Sequence, residues 1–546
     1  MGCGMAFACS GNMHKFIFVF LILCALGCNN TSSLKEDTTI TPRDISITAQ
    51  EAYNDLFLDS TDMEQFLAQH QLNDTLSRRL RSFYNARNYQ YAWFNSSGLT
   101  EQGKGFWNLQ EYIHAHTPDT VRITADLIKT MDRFYTDATL SIQAKSASVK
   151  NTELYLSLLL MEYAMHHIEE GYIRREAIES FIPKRKENVL ILAKSFIDAH
   201  HAKGKQYSDV NPAFARLMPY VEKYHSISTG GGWPEVTGKP TDFSPGNSNP
   251  HILALIQRLR IDEYISGTDS ITTLNTEVQD AIKKFESAHG LTPTGKVSAS
   301  LLQVLNVPAD VRLKQLLINL DRMQWLIQQP AGKLLLVNIP EFVLHVKDGD
   351  EEVFQMDVVV GKEAHHTTLF TGDLNQVVFS PYWNIPPGIL QNEILPAMEK
   401  DKNYLAEKNM EIVSNEGNIP VIRQLPGPSN ALGKVKFLFP NKFNIYFHDT
   451  PAKDLFKKDL RAFSHGCIRL SDPAKLAAWL LKEEAGWDAK NITEAMNKGT
   501  EQTVVLKEKV PVCITYYTAW VDENNVLRFA PDIYKHDEVM MKRRFL

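Results

Sequence analysis

Cysteine is scarce in the part of the chain that must fold. The 546 residues contain six cysteines, and four of them lie within residues 1–28. A disulfide-stapled domain needs several cysteine pairs in its folded part, so this class is excluded. Cys513 lies in VPVCITYYTAW among β-branched and aromatic residues, where we expect a buried, inert thiol. Cys467 differs, because RAFSHGCIRL surrounds it with a serine, a histidine, a glycine and an arginine.

A strongly basic segment is also missing. The formal net charge is −6 at pH 7, and no block of Lys and Arg stands out. Binding to nucleic acid requires clustered cations that displace the counterions of the phosphates, so nucleic acid is not an expected partner. The composition, 44% hydrophobic and 22% charged, is typical of globular proteins. The length allows roughly two to four domains.

No apolar run is long enough to cross a membrane. Phe16–Leu26 is about half of the roughly 20 residues that a spanning helix needs, and it follows a basic start. Such a segment is typical of a signal peptide, so we expect export to the periplasm. The pair Gly27–Cys28 resembles a bacterial lipobox, which predicts a lipid anchor to a membrane on Cys28. An ordinary signal peptide or an uncleaved anchor is the alternative.

Composition and periodicity divide the rest of the chain into helical and strand-rich parts, which predicts a multi-domain α+β protein. Residues 152–173 show the clearest helical spacing, and residues 228–250 are rich in Gly, Pro, Ser and Asn. The predicted units are a signal peptide (1–28), a polar tether (29–50), a helical scaffold (51–226), a linker (227–250), a module of three short helices (251–308), a connecting helix (309–332), a β-rich domain (333–510) with a helical insertion at about 385–430, and a C-terminal strand and tail (511–546).

The residues around Cys467 are those that activate a thiol. A thiol becomes a nucleophile when a base or a positive charge favours its thiolate. His465 lies two residues away, and His448 ends a predicted strand 19 residues earlier, from which a strand–loop–strand return could bring it opposite Cys467. Gly466 allows close approach of the backbone and could present amide N–H groups to an oxyanion, whereas Arg469 has a planar fork suited to a carboxylate. Residue types alone therefore indicate a Cys–His acyl-transfer site.

Two other interpretations of this region stay open. One is a turn of small residues beside a core histidine. The other is a zinc site, since four neighbouring residues are of ligand types: His448, Asp449, His465 and Cys467. Neither an HxxxH pair on a helix nor a CxxC spacing is present, and the adjacent His365 and His366 would point in opposite directions on a strand.

The segment SHGCIRL, with FHD 19 residues upstream, resembles the signature of the L,D-transpeptidases with a YkuD-type catalytic domain. FYNARNYQYAWFNSSGLT (83–100) is similar to the N-terminal scaffold of the YcbB-like subgroup, and EVQDAIKKFESAHGLTPTGKVSASLLQVLN (277–306) to a peptidoglycan-binding module of three helices. The catalytic region of that subgroup is matched, in order, by INLDRMQWL, VVVGKEAHHTTLF, SPYWNIPP, PGPSNALGKVKFLFPN and HDTP. The likeness extends from about residue 80 to 540.

The resemblance implies a mechanism without cofactor or metal. Cys467 would attack the third residue of a peptidoglycan tetrapeptide stem, expel D-Ala and form a thioester. The amine of a second stem would then resolve the thioester into a 3→3 cross-link. His448 would be the general base, oriented by a backbone carbonyl. Wall attachment of another protein through the same acyl-enzyme, or a non-catalytic or zinc-dependent wall-binding protein, is the alternative function.

The resemblance also assigns supporting roles and partners. Peptidoglycan stems are the expected partners, the protein would be a monomer, and carbapenems would acylate the thiol. Arg469, Tyr446 and Trp383 would bind substrate, with Trp383 near the start of the capping insertion. The residues expected to support the nucleophile or the oxyanion, and in part to line the donor pocket, are Ser464, His465, Gly466 and Asp449.

Overall fold

The structure is a computed structural model. It describes residues 39–117, 122–136, 142–165, 182–201, 212–266, 271–325, 332–349, 351–415 and 419–546. The predicted signal peptide, Cys28 and the first part of the tether lie outside these ranges. Residues 39–50 lack helix and strand as expected, but they are fastened to the helical unit, because the Asp44 N–H donates to the Asn85 carbonyl at 2.9 Å. Within the described ranges, no helix combines the length and the apolar character needed to cross a bilayer.

The first part of the chain forms a helical unit around aromatic side chains. Asp59, Asn73 and Thr100 begin three of its helices by accepting backbone N–H groups with their side chains. Trp93 and Trp107 are fully buried in its core. The elements are α1 (Ser60–Gln69), α2 (Asp74–Asn85), β1 (Phe94–Asn95), β2 (Gly98–Leu99), α3 (Glu101–His116), α4 (Ala125–Thr136) and α5 (Ala147–Tyr163).

The region predicted as one scaffold, 51–226, contributes to two cores. Helices α6 (Val189–His201) and α7 (Pro212–Thr229) pack into a second apolar cluster together with residues 313–323 and 517–545. The predicted connecting helix is α11 (Ala309–Met323), and it supplies that cluster with Leu313, Leu316 and Leu320. The apolar face of α11 thus packs against residues that are distant in sequence. The helical spacing predicts such a face but does not show which residues cover it.

The predicted three-helix module is present. Its helices are α8 (Pro250–Ile261), α9 (Thr276–Ala288) and α10 (Ala299–Leu305), each begun by an Asn or Ser side chain that accepts a backbone N–H. Gly295 has φ +69°, and a Cβ there would lie 3.0 Å from the Gln279 carbonyl oxygen, so this turn requires glycine.

A closed ring of strands forms the β-rich domain. Its strands are β3 (Lys333–Asn338), β4 (Val343–Asp348), β5 (Glu351–Gly361), β6 (Phe370–Phe379), β10 (Val435–Leu438), β11 (Phe447–His448), β12 (Ala462–Ser464), β13 (Ile468–Leu470) and β14 (Gln502–Thr515), accompanied by helices α14 (Pro473–Leu480) and α15 (Ala489–Asn497). Around the ring the order is β5-β13-β11-β10-β6-β14-β3-β4, and β12 lies beside β5. β5 closes the ring by pairing with β4 through residues 351–357 and with β12 and β13 through residues 358–361.

The insertion between β6 and β10 is mixed rather than purely helical, which corrects the prediction. A helical turn (Pro387–Ile389), a π-helical stretch (Leu390–Ile394), α12 (Leu395–Lys400) and α13 (Tyr404–Glu407) are present as expected. They accompany a small antiparallel sheet in the order β7-β9-β8. Its strands are β7 (Trp383–Asn384), β8 (Met410–Ser414) and β9 (Val421–Gln424).

The C-terminal segment is not a tail. β14 runs across the predicted boundary at 510, and the chain then forms a hairpin of β15 (Ala519–Val521) and β16 (Leu527–Phe529). Helix α16 (His536–Arg544) follows and is anchored by charge, because the buried Asp537 carboxylate pairs with Arg322 of α11 at 2.6 Å. The last residues are therefore fastened to the helical part of the chain.

Candidate active site

The segment Ser464–Cys467 is a tight turn between β12 and β13. The Ser464 hydroxyl accepts the N–H of Gly466 at 3.1 Å and donates to the carbonyl of Cys467 at 2.6 Å. Gly466 has φ +115°, a backbone conformation that only glycine adopts without strain. The buried Thr367 hydroxyl donates to the Gly466 carbonyl at 2.8 Å from behind. The turn is therefore fixed at several of its backbone polar groups.

Parallel pairing of β11 and β13 brings four functional side chains to one face. Phe447 pairs with Ile468 and His448 with Arg469, and the Ile468 N–H donates to the Tyr446 carbonyl. Because side chains alternate along a strand, Tyr446 and His448 share a face with Cys467 and Arg469, whereas Phe447 and Ile468 enter the core. His448 thus lies on the strand parallel and adjacent to β13, on the face that also carries Cys467.

His448 is held as a neutral base. It is 4% exposed, and its Nδ1 donates to the main-chain carbonyl of Asp449 at 2.5 Å. Burial, together with the positive charge of Arg469, lowers its pKa to about 3. A proton fixed on Nδ1 leaves Nε2 as the acceptor, which is the form that a general base requires. The prediction of a histidine oriented by a backbone carbonyl agrees with this geometry.

The Cys467 thiol is also neutral at rest. Burial raises its pKa above the usual value, although hydrogen bonds from the Tyr446 backbone and hydroxyl oppose the shift. Its Sγ lies 3.5 Å from the Asn444 carbonyl, and the residue remains partly exposed. A neutral thiol and a neutral imidazole on one face differ from a preformed thiolate–imidazolium pair. Proton transfer must then accompany attack on the substrate.

Gly466 and Asp449, which were predicted to support the nucleophile or the oxyanion, do not offer a donor to an oxyanion. The N–H of Gly466 is already donated to Ser464, so it does not face a substrate. The Asp449 carboxylate accepts the N–H of Lys434 at 2.9 Å and pairs with Lys453 at 2.7 Å, and a carboxylate cannot donate to an oxyanion. Asp449 contributes through its main-chain carbonyl instead. The donor that remains is the N–H of Cys467, for which the described residues provide no acceptor.

Arg469 has no carboxylate partner among the described residues. Its side chain is partly buried, and its Nε–H lacks a hydrogen-bond acceptor there. Burial lowers its pKa against the influence of Cys467, but an arginine stays charged at any accessible pH. A partly desolvated guanidinium without a carboxylate partner is chemically suited to receive an anionic group.

His465 contacts the insertion. Its Nε2 lies 3.1 Å from a carboxylate oxygen of Glu393, which belongs to the π-helical stretch Leu390–Ile394. Its ring also lies 5.0 Å from that of His365. His365 is thus near the site, while His366 stacks on Tyr534 with ring centroids 4.0 Å apart.

Trp383 lies in β7 and is partly buried against the apolar cluster of the insertion itself, which contains Ile385, Leu390 and Ile422. Its structural surroundings therefore favour packing of the insertion over direct contact with substrate.

The zinc interpretation of His448, Asp449, His465 and Cys467 finds no support in their arrangement. Within the described part of the chain, no three His, Cys, Asp or Glu side chains are grouped so as to hold a metal ion.

Sequence reasoning missed Thr367, Tyr534 and Glu393. Tyr534 donates to the Gly361 carbonyl at 2.6 Å and accepts the N–H of Thr367 at 3.2 Å, so it supports the residue that holds Gly466. The segment HHTTLF lies in the stretch that resembles the family, but its residue types do not single out Thr367, and neither PDIYK nor QNEIL points to a role for Tyr534 or Glu393. The roles of all three depend on tertiary contacts between residues 72 or more positions apart.

Comparison with known proteins supports this interpretation. Residues 332–511 match a family model described as the L,D-transpeptidase catalytic domain (YkuD), and residues 78–227 match one described as a scaffold domain. A Haemophilus influenzae protein named as a candidate L,D-transpeptidase is 37% identical over 222 residues, or 37% of this chain and 44% of that protein. The chain therefore matches less than half the length of this curated relative.

Solved structures give a weaker likeness. An L,D-transpeptidase from Mycobacterium smegmatis is 16% identical with a TM-score of 0.19, covering 34% of this chain and 59% of that one. Another, from Stackebrandtia nassauensis, is 15% identical with a TM-score of 0.22, covering 51% and 97%. Scores this low add nothing to the family matches.

Proposed function

From the premise that residues 332–511 are a catalytic domain of the L,D-transpeptidase family, we propose that the chain forms 3→3 peptidoglycan cross-links through a thioester on Cys467. The observation that carries the proposal is the placement of Cys467 and His448 on one face of adjacent strands, with Nδ1 of His448 tied to the Asp449 carbonyl. This arrangement supplies a nucleophile and a base with a free Nε2.

In the first half-reaction, Sγ of Cys467 attacks the carbonyl carbon of the third residue of a tetrapeptide stem. As the C–S bond forms, the thiol proton passes to Nε2 of His448, and the carbonyl oxygen becomes an oxyanion that accepts the N–H of Cys467. Collapse of this intermediate breaks the C–N bond to D-Ala. The proton on His448 passes to the departing amine, and a thioester remains on Cys467.

Recognition of the donor stem follows from the charge around the thiol. A carboxylate of the stem can pair bidentately with Arg469, which has no carboxylate partner among the described residues. Tyr446, whose hydroxyl bonds to the thiol, borders the same face. In the second half-reaction, the amine of another stem attacks the thioester, and the sulfur regains its proton as the C–S bond breaks.

The proposal includes the cellular location of the protein. The apolar run before Gly27–Cys28 supports export to the periplasm and a lipid anchor on Cys28, so the catalytic barrel would work on the wall from a membrane. Cys28→Ala should then move the protein from the membrane fraction to the periplasmic fraction. An unchanged distribution would contradict the anchor without affecting the reaction.

Mass analysis of wall fragments after incubation with the purified protein tests the reaction. The proposal predicts 3→3 dimers and release of D-Ala, and both should be lost in Cys467→Ala. Tripeptides alone would indicate hydrolysis in place of transfer, and protein adducts would indicate attachment of another protein to the wall. Either of these outcomes would overturn the cross-linking assignment.

A further inference from the structure

The insertion reaches the nucleophile turn through one ion pair. Nε2 of His465 lies 3.1 Å from the Glu393 carboxylate, and the two side chains are 37% and 53% exposed. Glu393 lies on a π-helical stretch, a rare local geometry that is often found at functional sites. The pair is therefore accessible to a second substrate and lies two residues from Cys467.

The charges around this pair are otherwise unsuited to an amine. Among the described groups whose charges bear most on His465, Lys362 and Arg469 are cationic and His365 is a base, whereas Glu393 is the one carboxylate. Asp449 does not change this balance, because Lys453 pairs with its carboxylate. An ammonium ion approaching the thioester would be repelled by Lys362, whereas the charge of Arg469 is paired with the donor carboxylate at that stage. Glu393 provides the opposite charge at the point of approach.

We propose that Glu393 and His465 form the acceptor site, in which Glu393 binds the incoming ammonium group and His465 removes the proton that the amine must lose before it attacks. This assignment rests on the proposed function, because an acceptor is needed only if a thioester forms on Cys467. Nothing in the sequence pattern assigns a role to Glu393, which lies 72 residues before His465.

The protons of the second half-reaction require a second base. The acceptor enters as an ammonium ion with three N–H bonds, and the amide product keeps one of them. His465 takes the first proton and passes it to solvent, which leaves a neutral amine. The nitrogen lone pair then forms the C–N bond, and His448 takes the second proton. As the C–S bond breaks, His448 returns this proton to the sulfur of Cys467.

The two histidines are suited to these separate tasks. His448 is buried with Nδ1 committed to the Asp449 carbonyl, so it has one nitrogen available for the sulfur side of the reaction. His465 is exposed, and partial burial still lowers its pKa below the usual value, so it is neutral at pH 7. Donation of its Nε2–H to Glu393 leaves Nδ1 as the acceptor.

A comparison of two acceptors tests the assignment. The full-length protein is supplied with a tetrapeptide donor and with either diaminopimelate, whose amines are protonated, or hydroxylamine, which is uncharged at neutral pH. Glu393→Gln should lower the ratio of kcat/KM for diaminopimelate to that for hydroxylamine by roughly tenfold or more, the usual effect of losing one charged hydrogen bond. The loss should appear mainly in KM for diaminopimelate.

Matched variants separate this role from a structural one. Glu399→Gln removes the same charge from an exposed position of α12 in the insertion, and it should leave the ratio unchanged. Glu393→Asp keeps the charge and should retain most of the ratio. His465→Asn should lower kcat for diaminopimelate at pH 7, with recovery as the pH rises and the amine loses its proton unaided. Thermal melting confirms that each variant is folded.

Two results would overturn the acceptor site. One is an equal loss for both acceptors in Glu393→Gln, which would indicate damage to the turn. The other is an unchanged ratio, which would mean that the ammonium binds elsewhere. Absence of D-Ala release by the wild-type protein would instead overturn the proposed function, and the acceptor site with it.

Discussion

Thr367 donates its hydroxyl proton to the carbonyl of Gly466, the residue immediately before the nucleophile, at 2.8 Å. In a trans peptide the C=O and the next N–H point in opposite directions. Anchoring the Gly466 carbonyl inside the protein therefore turns the N–H of Cys467 toward the substrate, where the oxyanion forms. Thr367 is itself fixed, because its hydroxyl also accepts the N–H of Gly361 at 2.9 Å.

Thr367→Val should consequently weaken catalysis without removing any group that touches substrate. We expect kcat/KM for D-Ala release to fall by about 10- to 100-fold, since small displacements of reacting groups have effects of this size. Thr367→Ser keeps the hydroxyl and should recover most of the activity. Thr368→Val is the adjacent control and should remain close to wild type. Equal loss in the Ser and Val variants would contradict the positioning role.

Alkylation of Cys467 should report a neutral thiol. Because burial raises the thiol pKa, the rate of reaction with iodoacetamide should be low at pH 7 and should rise through pH 9 and beyond. A thiolate–imidazolium pair would instead give a rate that is constant across neutral pH. Cys513 is the internal control, because burial raises its pKa to about 11, and peptide mapping distinguishes the two sites. A plateau at neutral pH for Cys467 would contradict the neutral pair.

Arg469→Lys should impair binding of the donor stem more than reactivity of the thiol. Lysine keeps the positive charge near His448 but offers a point charge in place of a bidentate fork. We expect KM for the tetrapeptide to rise by about tenfold, as for the loss of one charged hydrogen bond, with alkylation of Cys467 close to wild type. If alkylation and turnover fall together, Arg469 supports the local fold instead.

Stability should decline on mild acidification because the half-buried His536 is held neutral. Burial lowers the pKa of His536 to about 4, and its ring stacks on Tyr516 with centroids 4.6 Å apart. Since the folded-state pKa is below the ordinary value of about 6.5, the unfolded chain binds the proton first as the pH falls. The contribution of His536 is therefore complete above about pH 6.5 and is lost toward pH 4.

His536→Phe keeps an aromatic ring at this position but removes the titration. The free energy of unfolding, measured in urea between pH 6.5 and pH 4, should depend less steeply on pH in the variant, by up to about 1.4 kcal/mol per pH unit. Because the pH dependence is compared and not the free energy of unfolding itself, a change in stability that is the same at every pH does not affect the result. Identical slopes in the two proteins would contradict a half-buried, neutral His536.

The residues of the candidate site were predictable in part, because its chemistry is local in sequence. Residue types pointed to Cys467 with His448 or His465 as its base, and the choice of His448 came from the family resemblance. The general α+β division and the three-helix module were also predictable, since helical periodicity and capping residues such as Asn249 and Asn275 are encoded locally.

Other features depend on tertiary contacts that leave no local pattern. Strand β8 has mostly exposed or half-buried side chains, so it lacks the apolar alternation that marks a strand, and the sheet of the insertion was missed. The N–H of Gly466 was wrongly assigned to the oxyanion. It is instead donated to the Ser464 hydroxyl, and this bond depends on the geometry of the turn, which the sequence does not reveal. The C-terminal helix was missed because its anchor, the pair Arg322–Asp537, joins residues far apart in sequence.

Intact-protein mass spectrometry with a tetrapeptide donor and no acceptor tests the central claim most directly. The account predicts one covalent adduct with the mass of the donor minus D-Ala, mapped to Cys467 and absent from Cys467→Ala. His448→Ala should form it about 10²- to 10⁴-fold more slowly, the usual effect of losing a positioned proton-transfer group. Chelators should leave the adduct unchanged. Release of D-Ala without an adduct on Cys467, abolished by a chelator, would contradict thiol catalysis and favour a metal-dependent reaction.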